Sequence, residues 1–328
     1  LFDINGDLVK KLSTNIPKNR NQDLIYLDTS NPNLEWGYNP LRKVNYPHRH
    51  LIASHIIETF QKLWGQQAWG IKLEHILRHV ILTLLDQPKA TFSDVTRLLV
   101  DETYRLHCQQ HIVAKEVKQF WTHQFSKYSK ADVLPVLNKV GSFLAIPVVK
   151  KILVDNTKQL SMQSIIDNEK IFLVNLSKGT LGADASHLLG SLLLNSLSAA
   201  GFHRSIIDED KRKPFFIYLD EFHNFTTLSL VNMFSELRKF KIGFIVAHQY
   251  LNQLPVKIKE AVLGNIGTII CFRISYADAK YMAQEFYPVF TASDFIALEN
   301  FHIYLKLMIN GKPSKPFSAK TITKNGLK

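Results

Sequence analysis

Two adjacent carboxylates, Asp220 and Glu221, follow a strongly apolar run at residues 214–219. Such a run predicts a buried strand, and open α/β sheets bind ligands at the carboxyl ends of their strands. In a nucleotide hydrolase the first carboxylate would hold Mg²⁺ through its water shell, and the second would polarise the attacking water. The pair therefore predicts phosphoryl-transfer chemistry. The alternative is an acidic strand end that caps the following helix.

Three further side chains could complete this chemistry. Gln249 ends the next apolar run, at residues 242–249, so its amide is expected at the same sheet edge, where it could sense a γ-phosphate or orient water. Arg238 and Arg273 could supply the guanidinium that stabilises charge on the transferred group, commonly from a neighbouring subunit. Alternatively, Gln249 is an ordinary loop residue, Arg238 is a cation at a helix C-terminus, and Arg273 is an edge-facing strand residue.

The sequence contains no GxxxxGK[ST] loop, whose backbone and lysine cradle the β- and γ-phosphates. Residues 176–182 follow a predicted strand and precede a predicted helix, so Lys178 and the nearby amides could receive a phosphate group. A plain strand-to-helix loop is the alternative. Taken alone, the chain is expected to bind ATP weakly and to be inactive.

The composition predicts a globular protein with a polyanionic partner. Of the 328 residues, 46% are hydrophobic, which is enough for the core of one large or two smaller α/β domains. The net charge of +12 favours nucleic acid or an anionic membrane surface. One helical stretch mixes cations with rings and suits contact with a DNA backbone, or is simply a solvated basic face. It contains Lys115, Lys118, Phe120, Trp121, Phe125, Lys127, Tyr128 and Lys130.

The cysteines and the hydropathy predict a cytoplasmic location. Cys108 and Cys271 are far apart and form no CxxC pair, which suggests a reducing compartment. No apolar run reaches the roughly 18 residues of a membrane span, and the N-terminus has no signal-peptide order. We therefore expect no transmembrane segment in this chain.

The elements that must position these residues form an α/β fold. Residues 1–46 predict β-α-β order, and residues 47–160 show helical periodicity that predicts an all-α insertion. Strands predicted at 170–176, 214–221, 242–249 and 268–274 alternate with helices at 184–204 and 229–240. This alternation predicts a mostly parallel, doubly wound sheet whose strands are covered on both faces. Residues 161–328 would form its second part, ending in an antiparallel hairpin at Asn310-Gly311.

The order of these segments resembles that in the FtsK/HerA-type pumping ATPases, and within them the conjugative coupling proteins and related type IV secretion motors. The opening looks like the family segment that follows the P-loop helix. Its matching residues are Asp3, Gly6, Asp7, Asn39, Pro40 and Leu41. Asn5 stands where family members usually carry a histidine near the nucleotide. Segments 172–197, 215–225, 236–255 and 261–286 then follow in family order.

The resemblance implies a RecA-like fold and a set of roles. Asp220 and Glu221 would be the Walker B pair, with Mg²⁺ at Asp220, and Gln249 would be the sensor glutamine. Arg238 and Arg273 would be arginine fingers. The positions expected near ATP are Asp3, Asn5, Gly6 and Asp220.

The resemblance also implies an assembly. The ring would be a homo-hexamer that threads DNA through a basic channel and works with secretion or conjugation machinery at the inner face of the cell membrane. The membrane anchor and the Walker A loop would precede Leu1. Two alternatives stay open: a catalytically inactive DNA-binding or ring-scaffold module, and a type IV secretion ATPase that drives protein export.

Overall fold

The computed structural model describes residues 1–42, 46–155, 157–227 and 229–322. The chain divides into two compact units, Leu1–Val246 and Ala247–Lys328. Strands from both predicted parts of the α/β domain, 1–46 and 161–328, meet in the first unit. The division of the sequence at residues 46 and 160 stays a prediction.

A five-stranded sheet with the order β2-β3-β1-β4-β5 forms the centre of the first unit, and all its neighbours are parallel. Its strands are β1 (Phe2–Asp3), β2 (Leu24–Asp28), β3 (Ile171–Asn175), β4 (Phe215–Leu219) and β5 (Ile242–Val246). Parallel neighbours need crossover connections, which the helices between them supply. The predicted α/β fold class, with a mostly parallel sheet, is confirmed.

The longest helix of the sheet region is largely buried. The helices of the sheet region are α1 (Asp7–Ser13), α10 (Lys178–Leu181), α11 (Ala183–His203) and α12 (Ser229–Glu236). The leucines of α11 form a buried stripe at helical spacing, at Leu188, Leu189, Leu192, Leu193 and Leu197. Gly190 lies so close to the Phe225 ring that a Cβ there would be 2.3 Å from a ring carbon.

The sheet is less covered than its hydrophobicity predicts. Phe216 and Tyr218 of β4 alternate with buried residues and are 57% and 46% exposed. With Leu8 and Leu12 of α1 they line an apolar groove of about 370 Å³. Buried and exposed residues alternate along β4, as in a strand with only one packed face. The expectation of strands covered on both faces is therefore wrong for β4.

The segment between β2 and β3 is helical. Its helices are α2 (Arg49–Trp64), α3 (Ile71–Leu85), α4 (Asp94–Val100), α5 (Glu102–Gln109), α6 (Lys115–Gln119), α7 (Lys130–Leu144), α8 (Pro147–Lys150) and α9 (Met162–Asp167). Its described residues form only one isolated β-bridge, between Gly37 and Gln159. The rings of Phe60 and Phe92 stack at 5.7 Å and are fully buried, so the segment has an aromatic core of its own. The predicted all-α insertion is confirmed.

No single helix in the described part of the chain is long and apolar enough to cross a membrane. The pair Lys130–Leu144 and Pro147–Asp155 meets the length and composition of a span only when taken together, across a bend of 95°.

The second unit contains antiparallel strands. The sheet β10-β7-β6 joins β6 (Ile269–Cys271), β7 (His302–Lys306) and β10 (Phe317–Lys320), and β8 (Met308–Ile309) pairs with β9 (Lys312–Pro313). Its helices are α13 (Val256–Asn265), α14 (Tyr276–Glu285) and α15 (Ala292–Ala297). Asn310 and Gly311 have φ of 49° and 77° between β8 and β9, as a type I′ turn requires. The hairpin prediction is confirmed, whereas β6 pairs antiparallel and is not a strand of the parallel sheet.

Candidate active site

Polar side chains line the carboxyl edge of the parallel sheet. Asp28 pairs in register with Asn175, and Asn175 pairs with Asp3 on its other side. Phe2 pairs with Leu219, and the Asp220 N–H donates to the Phe2 carbonyl at 3.0 Å. Asp28, Asn175, Asp3 and Asp220 therefore follow one another across four neighbouring strands. The sequence predicted Asp3 and Asp220 at this edge, and the register places them side by side.

Asp3 orients the start of α1. It is fully buried, and its two carboxylate oxygens accept hydrogen bonds from the backbone N–H of Asn5 at 2.9 Å and of Val9 at 3.1 Å. The side chain thus fixes the turn that leads into the helix. Asn5 itself is exposed, beside this turn.

Gly6 allows close packing within the same turn. Its φ is 88°, and a Cβ at this position would lie 2.5 Å from Oδ1 of Asn175. Asn175 in turn donates from Nδ2 to Asp28 at 2.8 Å and accepts from the Ser177 N–H at 3.0 Å. Asn175 therefore ties the turn after β1 to the ends of β2 and β3. Sequence reasoning missed it, although a polar residue that ends an apolar run was the available signal.

Asp220 sits in an environment rich in negative charge. The side chain is half-buried, and burial raises the pKa of its carboxyl, with further increases from the charges of Asp3 and Glu221. A cation placed against this carboxylate would relieve that cost. In the part of the chain that the structure describes, no group of three or more His, Cys, Asp or Glu side chains is arranged to hold a metal ion.

Glu221 has a strained backbone. Its φ and ψ are 49° and 51°, in the left-handed region that a non-glycine residue rarely adopts. The Glu221 carbonyl accepts two hydrogen bonds from Asn224, at 3.0 Å from the backbone N–H and 2.7 Å from Nδ2. His223 lies beside it, with Nδ1 3.5 Å from a Glu221 carboxylate oxygen. Burial lowers the pKa of His223, an effect that the charge of Glu221 partly opposes.

Lys178 reaches the loop after the acidic pair. Its Nζ donates to Asn224 Oδ1 at 3.0 Å, and His187 Nε2 contacts the same oxygen at 2.9 Å. The backbone N–H of Lys178 already donates to the Ile4 carbonyl at 3.1 Å. The side chain of Lys178, and not its own amide, therefore reaches the loop after Glu221, where it contacts Asn224. Asn224 and His187 were not predicted, because their roles arise from contacts between distant segments.

Arg238 lies away from the acidic pair of its own chain. It is exposed in the 3-10 turn Leu237–Phe240, which immediately precedes β5. Since β4 and β5 are parallel, this is the edge of the sheet opposite to Asp220 and Glu221. An arginine finger at this position would therefore have to act on a neighbouring subunit. Its role stays a prediction.

Gln249 and Arg273 belong to the second unit. Both are exposed, and an Arg273 guanidinium nitrogen donates to Asn300 Oδ1 at 3.1 Å. Their roles as sensor and arginine finger also stay predictions.

The sheet order, the all-α insertion and the acidic strand ends define the class of this chain, a RecA-like α/β fold. Solved structures of the conjugative coupling protein TrwB share this fold. The unbound form has a TM-score of 0.66 and 11% identity, over 98% of this chain and 76% of that one. The complexes with GDPNP and ADPNP, analogues of GTP and ATP, have TM-scores of 0.68 and 0.62 at 12% and 11% identity. They cover 98% and 91% of this chain and 77% and 73% of theirs.

The resemblance proposed from the sequence is thus confirmed at the level of the fold. Comparison of the sequence with protein-family models and with curated proteins returns no match.

Proposed function

We propose that this chain is part of the motor domain of an ATP-driven DNA translocase of the conjugative coupling type, which hydrolyses ATP at subunit interfaces of a hexamer. The observation that carries the proposal is the acidic pair at the carboxyl edge of a RecA-like sheet, followed by a loop that Lys178 contacts. Coupling proteins with the same fold have been solved with GTP and ATP analogues. We place the nucleotide at this edge.

The side chains at this edge fit Mg²⁺ and ATP. Asp220 carries a carboxylate whose ionisation is disfavoured by burial and by neighbouring acids, which a divalent cation would reverse. Asp220 would hold the ion through water, and Lys178 would lie on the side of the phosphates. When bound, Mg²⁺ neutralises charge on the β- and γ-phosphate oxygens. Glu221 would orient and polarise the attacking water.

The exposed lysines of the helical segment support contact with DNA through its phosphates. Lys115, Lys118 and Lys127 are exposed along one stretch of the helical segment. Phe120 and Trp121, which the sequence offered as stacking rings, are 0% and 6% exposed. Phe120 stacks on an imidazole in the helical core, so these rings are unavailable to bases. Binding should therefore depend on cations and hence steeply on salt.

The decisive assay is ATP turnover by the intact protein as its gene encodes it, with and without DNA. Glu221→Gln should lower kcat by roughly 100-fold or more, because the group that activates water is lost. The matched control is Glu209→Gln, which changes an exposed acid on another loop. Equal turnover by wild type and Glu221→Gln would refute the proposed site.

The same preparation separates the two alternatives. Salt-dependent DNA binding without ATP turnover would support an inactive ring-scaffold module. Turnover without DNA binding or DNA stimulation would support a protein-export ATPase. Partners in membrane-bound conjugation or secretion machinery, and a cytoplasmic position at the inner face of the membrane, belong to the proposal for the motor.

A further inference from the structure

We propose that Asn224 is a positioning residue, which holds Glu221 in its left-handed backbone conformation and thereby aims the carboxylate of Glu221. This inference rests on the proposed function. The backbone of Glu221 has a φ of 49°, a left-handed conformation that is unfavourable for a residue with a Cβ. Such a conformation persists only where surrounding contacts impose it.

Asn224 supplies contacts that can impose it. Its backbone N–H and its Nδ2 both donate to the Glu221 carbonyl, at 3.0 Å and 2.7 Å. The direction of this carbonyl is set by ψ of Glu221, so two donors on one oxygen restrain that torsion. Asn224 is 3% exposed, and water therefore does not compete for these bonds. Because the carboxylate belongs to the residue whose ψ is restrained, these hydrogen bonds also help to orient the carboxylate.

The orientation of the Asn224 amide is determined by its other partners. Lys178 Nζ can only donate, and it lies 3.0 Å from Oδ1. The Asn224 atom that faces Lys178 must therefore be the side-chain oxygen, which leaves the side-chain nitrogen facing the Glu221 carbonyl. His187 Nε2, 2.9 Å from the same oxygen, must carry a proton. Three elements, helices α10 and α11 and the end of β4, thus converge on one buried amide.

A second group holds the same loop from the helical segment. Lys62 of α2 donates to the Asn224 carbonyl at 3.1 Å and to Thr226 Oγ1 at 3.0 Å. Lys62 thus holds the loop through acceptors on Asn224 and Thr226, whereas Asn224 donates to the Glu221 carbonyl itself. Lys62→Met is therefore the comparator that separates general support of the loop from positioning of Glu221.

The test is steady-state ATP turnover by the intact protein carrying Asn224→Ala, Asn224→Asp or Lys62→Met. Asn224→Ala should lower kcat about 100-fold with KM changed less than about threefold, since a small misplacement of a catalytic group has effects of this size. Asn224→Asp keeps the acceptor for Lys178 but loses the donor to Glu221, so it should fail to restore kcat. Lys62→Met should lower kcat less than about tenfold.

A double variant tests whether Asn224 acts through Glu221. Adding Asn224→Ala to Glu221→Gln should lower kcat no further, because residues that act as one unit are not additive. Full additivity, or wild-type kcat in Asn224→Ala, would overturn the inference. If the wild type shows no turnover, the proposed function fails. Hydrogen exchange then tests whether Asn224 holds the Glu221 backbone. Faster hydrogen exchange of the backbone N–H of residue 224 in Asn224→Ala than in Lys62→Met would then support the positioning role of Asn224. Equal exchange rates in the two variants would overturn it.

Discussion

Gly6→Ala tests the packing that builds the carboxyl edge of the sheet. At a φ of 88°, an alanine would adopt a left-handed conformation that costs roughly 1–2 kcal/mol. Its Cβ would lie 2.5 Å from Asn175 Oδ1, so the Asn175 side chain would have to move. That movement breaks the bonds to Asp28 and from Ser177, each contributing about 1 kcal/mol. We expect a total loss of about 3 kcal/mol in the free energy of unfolding.

Urea unfolding followed by tryptophan fluorescence measures this loss. All four tryptophans lie before residue 122, so their emission reports the first unit. The control is the same substitution in an Asn175→Ala background, where the obstructing side chain is absent. There Gly6→Ala should cost only the roughly 1–2 kcal/mol of the backbone conformation. A loss below about 1 kcal/mol in the wild type, or an equal loss in both backgrounds, would refute the reasoning.

Three further perturbations probe the charged groups. Burial and then Asp3 raise the pKa of Asp220, so its ionised form destabilises the fold once pH exceeds that raised value. Asp220→Asn should therefore raise Tm at neutral pH but not in acid, and a lower Tm at neutral pH would contradict this. The same substitution should abolish Mg²⁺-dependent turnover. Arg204 is 1% exposed and donates three hydrogen bonds, so Arg204→Met should cost about 3 kcal/mol in urea unfolding. Hydrogen bonds from Lys72 and then from Ser129 lower the pKa of Asp132 to about 2, which stabilises the fold above the ordinary aspartate pKa. The Tm difference between wild type and Asp132→Asn should accordingly shrink from about pH 6 to about pH 3.

Much of the fold could be predicted because its signals are local. The apolar runs at 170–176, 214–221 and 242–249 became β3, β4 and β5, and the leucine stripe of α11 is buried as its spacing requires. The Asn310-Gly311 step alone predicted the turn between β8 and β9, since both residues tolerate positive φ. The acidic pair was found for the same reason, because a strand end is visible in the sequence.

The parts that were missed depend on distant contacts. Asn224 gains its role only where Lys178 and His187 converge on its amide. The pairing of β6 was misread because the short apolar run at 268–274 does not distinguish a parallel from an antiparallel partner. The burial of Phe120 likewise follows from helix packing, which the alternation of rings and cations along the sequence does not reveal.

We propose that the ends of β1, β3 and β4 surround a nucleotide. The most direct measurement is a structure of the intact protein with a non-hydrolysable ATP analogue and Mg²⁺. We expect the metal about 4–5 Å from the Asp220 carboxylate, with water between them, and the γ-phosphate beside Glu221. A nucleotide bound elsewhere, with Asp220 and Glu221 facing only protein or solvent, would contradict it.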